Sequence, residues 1–287
     1  MDPQSIQILI SIDRATCFLS LVENKLDTYS NQKINFGISV IPWSMALMYL
    51  FAIIGIEISM SLLEINPGWG ILVYGLMLIS MLVFAALKPE NSSMLIGLSG
   101  IPIFRIVAYS IPFSSATITT HFGVIGLVML FYIVPTLRSP EFAPALILKF
   151  PRNWLIQISI ILSGVVVGFC QFFVYPQKEL YFNGSLGFIT FIATLALLAF
   201  VEEVIFRGIA VTGFTKTFST GIGIVFVAFI YASLFIPFGS IELGLVMFLA
   251  SLYYSFAVIR SSGIYGVIGA HFVSSLLYYL LLPALWN

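Results

Sequence analysis

Three charged side chains lie close together in a very apolar part of this chain. Glu202, Glu203 and Arg207 occur within FVEEVIFRG, and no other charged residue occurs between residues 180 and 215. Charged side chains inside a membrane helix cost about 2.5–3.5 kcal/mol at its centre, so they are functional candidates by default. Glu203 and Arg207 are four residues apart and are predicted to pair on one helix face. Glu202 points about 100° away and has no predicted partner in its own helix.

His271, within GVIGAHFVSSLLYY, is the predicted partner of Glu202. Ser275 follows four residues later on the same helix face. A carboxylate can take a proton from water, and a histidine and a serine can donate hydrogen bonds to a developing oxyanion. These residue types favour a hydrolytic site without a cofactor. Two carboxylates and one histidine are a poor zinc ligand set. The open alternative is that Glu202 and His271 only join helices within a bundle.

Composition indicates the elements that must position these residues. The chain has 287 residues, of which 60% are hydrophobic and 8% are charged, whereas a soluble domain carries about 25% charged residues. Long charge-free runs match the roughly 20 apolar residues that a helix needs to cross a membrane. The predicted fold class is therefore all-α, a polytopic membrane bundle of about nine spans: 38–61, 68–87, 94–113, 121–137, 154–175, 186–211, 218–236, 242–259 and 264–285.

Three regions follow from these spans. Residues 1–36 are predicted to be a polar to amphipathic lead-in, 37–150 to hold the N-terminal spans, and 151–287 to form the core that carries the site. The zero net charge gives no indication of nucleic-acid binding. Cys17 and Cys170 are the only cysteines, which disfavours a disulfide framework.

The positive charges predict the orientation. With the N-terminus in the cytoplasm, the predicted outside loops hold only Lys178. Arg105 and Arg207 lie within spans, and the remaining basic residues fall in inside loops, as the positive-inside rule requires: Arg14, Lys25, Lys33, Lys88, Arg138, Lys149, Arg152, Lys216 and Arg260. The predicted cytoplasmic loops are 88–93, 138–153, 212–217 and 260–263, with the C-terminus outside. The expected location is the plasma membrane.

EEVIFRG resembles the first motif, Glu-Glu-x-x-x-Arg, of the type II CAAX prenyl endopeptidase and bacteriocin-processing family of intramembrane glutamic proteases. RSSGIYGVIGAHFVSSLL resembles its last motif, His-x-x-x-Asn or Asp. The resemblance covers about 154–285. It implies that Glu202 is the general base, that Glu203 and Arg207 support it, and that His271 with Ser275 stabilises the oxyanion. The implied substrates are prenylated or hydrophobic peptides cut at the cytoplasmic face.

Two positions differ from the family pattern. The middle motif is Phe-x-x-x-His, and this chain has Phe229-x-x-x-Ser233; Ser275 stands where Asn or Asp is usual. This leaves two hypotheses, an intramembrane endopeptidase and a catalytically impaired member that acts as a scaffold, immunity or regulatory protein. Membrane lipid and a peptide or protein substrate are the expected partners, and the oligomeric state stays open.

A third hypothesis is a transporter that uses Glu202, Arg105 and His121 as pathway groups. Arg105 is instead expected to snorkel or to pair with Glu57. His121 is expected at the membrane interface.

Overall fold

The computed structural model describes residues 40–62, 66–111, 117–139, 142, 153–177 and 184–286. The predicted lead-in 1–36 and most of the predicted loop 138–153 lie outside the described residues. The compact unit treated below is Met45–Asn287; of Met1–Ser44 the structure describes only residues 40–44, which begin the first helix.

Every regular element among these residues is helical. The α-helices are α1 (Val40–Leu62), α2 (Pro67–Leu87), α3 (Ser92–Ser110), α4 (Ile118–Arg138), α5 (Trp154–Val174), α6 (Gly184–Glu203), α7 (Val211–Thr217), α8 (Thr220–Ser233), α9 (Ile241–Ser261), α10 (Tyr265–Leu276) and α11 (Leu282–Trp286). Short 3₁₀ turns cover Pro89–Asn91 and Ile236–Phe238, and π-helical segments cover Val204–Ala210 and Leu277–Leu281.

Nine helical stretches of the described chain are long and apolar enough to cross a membrane, which confirms the predicted fold class. They run over Pro42–Ser61, Pro67–Leu87, Pro89–Ser110, Ile118–Arg138, Trp154–Val174, Gly184–Thr217, Thr220–Phe238, Ile241–Ser261 and Tyr265–Trp286. Large apolar side chains cover their outer faces, as with Phe131 and Leu155, and this suits contact with lipid.

The sixth span is longer than predicted. It continues from Gly184 to Thr217 over 34 residues, so residues 212–217, predicted to be a loop, are helical. The segment VTGFTKT contains no proline to end the helix. Its glycine, Gly213, packs so closely on Ser93 of α3 that a Cβ there would overlap the Ser93 carbonyl. Close packing thus extends this helix where the drop in hydropathy alone suggested an end.

A π-helical segment follows directly after the two glutamates of α6. Val204–Ala210 adopts this wider helix, and all seven of its residues are buried. A π-bulge accommodates an extra residue per turn and occurs often at functional sites. Here it lies between Glu203 and α7 and contains Arg207. It therefore sets the direction in which Arg207 leaves the helix.

The helix that carries His271 packs most extensively on α5. Gly164 and Gly168 of α5 face Ala270 and Ser274 of α10, and a Cβ at Gly164 would overlap the Ala270 carbonyl. Small residues let membrane helices approach at backbone distance, where dispersion contacts are dense. This close approach fixes α10 on both sides of His271.

Of the two other residues noted above, Arg105 is largely buried and His121 is buried. Arg105 pairs with Glu57, with Nε 2.7 Å from Oε1, which confirms the predicted pairing. His121 lies in the first turn of α4, and its side chain is buried; its place at the membrane interface stays a prediction.

Candidate active site

Glu202 lies where three helices meet. It belongs to the last turn of α6, and its carboxylate contacts groups from α8 and α10. The Tyr231 hydroxyl of α8 donates a hydrogen bond to Glu202 Oε2 over 3.2 Å. His271 Nε2 of α10 is 3.8 Å from the same oxygen. The carboxylate without a partner in its own helix thus faces polar groups from two neighbours, one of them the predicted His271.

His271 also contacts the second glutamate. Its Nδ1 is 2.7 Å from Glu203 Oε1, a hydrogen-bond distance that residue spacing does not predict. A carboxylate that holds one imidazole nitrogen fixes the orientation of the ring and leaves the other nitrogen for a further group. Glu203 therefore orients His271, so that only Nε2 faces Glu202.

Arg207 is the third charged residue of this cluster, and it contacts Glu203. Its Nε is 3.2 Å from Glu203 Oε2, and both side chains are fully buried, so the predicted ion pair is present. The guanidinium lies over the Tyr231 ring, with its carbon 4.3 Å from the ring centroid. Cation–π attraction of this kind reaches about 2 kcal/mol or more when it is shielded from water. Arg207 thus supports both Glu203 and the ring of Tyr231.

The predicted serines lie on the two neighbouring helices. Ser233 is buried at the end of α8, and its hydroxyl donates to the Ile230 carbonyl of its own helix over 2.7 Å. Its hydroxyl proton is therefore used within α8, and Tyr231, two residues earlier, is the residue of this helix that contacts Glu202. Ser275 lies one turn after His271 and is partly exposed. Its role in binding an oxyanion stays a prediction.

The arrangement suits proton transfer near a polarised carbonyl. The two carboxylates lie near different ring nitrogens of His271. Glu203 holds Nδ1 and orients the ring, whereas Glu202 faces Nε2. Both carboxylates are largely shielded from solvent, since the side chain of Glu202 is 13% exposed and that of Glu203 is fully buried. Among the described residues, no group of three or more His, Cys, Asp or Glu side chains is arranged to hold a metal ion.

The residues that make these contacts all lie in the part of the chain that matches a known protein family. Residues 183–277 match the Type II CAAX prenyl endopeptidase Rce1-like family. The match confirms the resemblance that the Glu-Glu-x-x-x-Arg and histidine motifs predict. The Rce1-like region begins just before α6 and ends after α10, so it contains Glu202, Glu203, Arg207 and His271. No curated protein and no solved structure matches the chain.

The Rce1-like region also contains the site residue that the sequence did not reveal. Tyr231 is one of 13 tyrosines in the chain, and nothing in its neighbours distinguishes it from a tyrosine that packs in a core. Its position two residues before Ser233, the last residue of α8, would have been the usable signal. Only the folded structure shows that its hydroxyl reaches Glu202.

Proposed function

We propose that this protein is an intramembrane CAAX-type endopeptidase that hydrolyses peptide bonds of prenylated or hydrophobic peptides. The match of residues 183–277 to a family of endopeptidases supports a hydrolase. The observation that carries the proposal is the shielded contact of Glu202 with Tyr231 and His271 within that region. A carboxylate held between a tyrosine and a histidine, away from bulk water, suits general base catalysis.

In the proposed reaction, Glu202 takes a proton from a water molecule while the oxygen attacks the scissile carbonyl carbon. Glu202 Oε2 and His271 Nε2 are 3.8 Å apart, a separation that one water can bridge by contacting both atoms. The carbonyl oxygen then carries negative charge, which His271, doubly protonated and donating from Nε2, and Ser275 stabilise by hydrogen bonds. The proton held by Glu202 passes to the leaving amine as the carbon–nitrogen bond breaks, which restores the carboxylate.

Glu203 and Arg207 support this chemistry without reacting. Glu203 holds Nδ1 of His271 and Arg207 neutralises Glu203, so the ring keeps one orientation. Fixed donors stabilise a developing charge better than mobile ones because they need no reorganisation during the reaction. Substrate reaches the site from the cytoplasmic side in this proposal, in accord with the positive charge of the predicted inside loops.

Cleavage of a farnesylated CAAX peptide by the purified protein tests this proposal. We expect cleavage by the wild type, and a loss of at least about 100-fold in Glu202→Gln because general base catalysis contributes at least that much. Glu242→Gln is the matched control, since Glu242 is exposed at the start of α9. The same peptide without its prenyl group measures lipid selectivity. Equal turnover by Glu202→Gln and the wild type would refute the mechanism.

A second function, a catalytically impaired member that acts as a membrane scaffold, immunity or regulatory protein, is favoured by one observation. Counted from Phe229, the Phe-x-x-x-His pattern has Ser233 in place of its histidine, and the Ser233 hydroxyl donates a hydrogen bond to the Ile230 carbonyl. The residue of α8 that contacts Glu202 is then Tyr231 rather than a histidine. If the wild type is inert, Ser233→His is expected to introduce turnover. Inertness of both proteins, each folded and membrane-inserted, would assign the chain to this second function.

A further inference from the structure

A buried ion pair outside the Rce1-like region is surrounded by tyrosines. Glu57 of α1 is fully buried, and its Oε2 accepts hydrogen bonds from Arg105 Nη2 of α3 over 2.9 Å and from Tyr109 over 2.9 Å. Tyr74 of α2 donates to Oε1, which also faces Arg105 Nε. The carboxylate is therefore held from two helices besides its own. Its position and that of the guanidinium are set by α1, α2 and α3 together.

The same guanidinium also contacts the end of a site helix. Arg105 Nη2 donates a 2.5 Å hydrogen bond to the carbonyl oxygen of Leu234, the residue that caps the C-terminus of α8. The last carbonyls of a helix have no partner within it, and a cation at that end is favourable. Leu234 is buried, so this carbonyl has little access to water. Arg105 therefore satisfies an acceptor that would otherwise be unpaired in an apolar setting.

Leu234 lies one helical turn after the tyrosine of the site. The Leu234 amide donates to the Tyr231 carbonyl over 3.2 Å, and the Tyr231 hydroxyl contacts Glu202. We propose that Arg105 is a positioning residue for the site, which holds the last turn of α8 so that Tyr231 stays against Glu202. This inference rests on the proposed function for its effect on turnover, but the effect on α8 can be measured without cleavage.

The Glu57 cluster explains why Arg105 can act in this way. A guanidinium in contact with a flexible loop would move with α8 and would not constrain it. Arg105 is instead bound to a carboxylate that two tyrosines hold, so displacement of the guanidinium would break a buried pair. Leaving one member of such a pair uncompensated is strongly unfavourable. The last turn of α8 is thus fixed to the first three helices.

Arg105→Lys tests this inference with the least damage to the fold. The ammonium keeps a positive charge opposite Glu57 but lacks the planar fork that reaches Glu57 and Leu234 together. A second variant, Glu57→Gln with Arg105→Gln, removes both charges and leaves no ion unpaired. Arg138→Lys is the matched control, since Arg138 is exposed at the end of α4.

The first measurement is amide hydrogen exchange of the detergent-solubilised protein. In Arg105→Lys we expect exchange at residues 231–236 to rise about tenfold, while the spans outside α1, α2 and α3 and the control stay unchanged, because a local opening exposes only the amides it covers. Unchanged exchange, or an equal rise in all spans, would overturn the inference. This arm decides the matter even if the wild type does not cleave, in which case the proposed function fails independently.

The second measurement is a double-mutant cycle on turnover. We expect Arg105→Lys to lower kcat about fivefold in the wild type with KM within about twofold, and to have less than about a twofold effect in Tyr231→Phe, because residues that act through one contact are not additive. A merely structural role gives the same factor in both backgrounds, and that result would overturn the inference while the proposed function stands.

Discussion

At the scale of single residues, a substitution of Tyr231 can distinguish the packing of its ring from the hydrogen bond that its hydroxyl donates to Glu202. Tyr231→Phe removes the hydroxyl but keeps the ring beneath Arg207. We expect near-normal stability and turnover reduced about 10–100-fold, the equivalent of about 1.5–3 kcal/mol for a hydrogen bond to a charged group. Steady-state kinetics on the prenylated peptide measures this effect. Tyr253→Phe, at an exposed position of α9, is the control and should behave as the wild type does.

The neighbouring glutamate is expected to act on stability first. Glu203→Gln leaves Arg207 without a charged partner in a site where both side chains are fully buried. Breaking a buried pair by removing one partner costs about 3–5 kcal/mol. Denaturation of the detergent-solubilised protein measures the loss, with the exposed Glu242→Gln as the matched change. A variant of normal stability and no turnover would instead assign Glu203 to the reaction itself.

The residue scale also shows what a single sequence can reveal about this site. The spacing of Glu203 and Arg207 predicts their ion pair because a helix brings residues four apart together. His271 could be matched to Glu202 because polar groups are rare in such apolar spans. The contacts of His271 Nδ1 with Glu203 and of Tyr231 with Glu202 depend on how three helices rotate against one another. No local pattern encodes that rotation, so these contacts emerged only from the structure.

At the scale of elements, the contact between α5 and α10 determines where His271 lies. Gly164→Ala would place a Cβ against the backbone of Ala270, which precedes His271. Backbone cannot rotate away as a side chain can, so α10 must shift. Overpacking of this kind typically costs about 1–3 kcal/mol. We expect a lower melting temperature and reduced turnover, measured on the same preparation.

Gly244→Ala is the control for this prediction. A Cβ at Gly244, in α9, meets no atom within 4 Å, and alanine favours a helix over glycine by about 1 kcal/mol. It should therefore be neutral or slightly stabilising. If Gly164→Ala were equally harmless, the close approach of α5 and α10 would not be what fixes His271.

The spans themselves were predictable, and their irregularities were not. Apolar length alone located all nine helical stretches to within a few residues over most of the chain, because lipid imposes the requirement on each helix separately. The π-helical segment Val204–Ala210 and the extension of the sixth span to Thr217 both pack on α3, a contact that apolar length does not encode. Gly213, for example, reads as a weak helix former until its contact with Ser93 is known.

At the scale of the whole molecule, the predicted orientation can be tested on a single helix. Glu242 and Arg260 lie near opposite ends of α9 (Ile241–Ser261), and both are exposed. In a chain whose Cys17 and Cys170 are replaced by alanine, we expect Glu242→Cys to react with an impermeant thiol reagent on intact cells. Arg260→Cys should react only after permeabilisation. The reverse pattern would invert the orientation and place the entry of substrate on the other side.

The stretch Gly184–Thr217 has a consequence for the lipid around the protein. Its 34 residues extend about 51 Å at 1.5 Å per residue, whereas the hydrocarbon core is about 30 Å thick. Such a helix must tilt steeply, thicken the bilayer near it or extend its Lys216 end into the cytoplasm, and each ångström of mismatch has a modest energetic cost. The protein should therefore respond to acyl-chain length. Reconstituted in a series of phosphatidylcholines, it should melt at higher temperature in 20-carbon than in 14-carbon chains, and an identical melting temperature in both would show that tilt or protrusion into water absorbs the excess length.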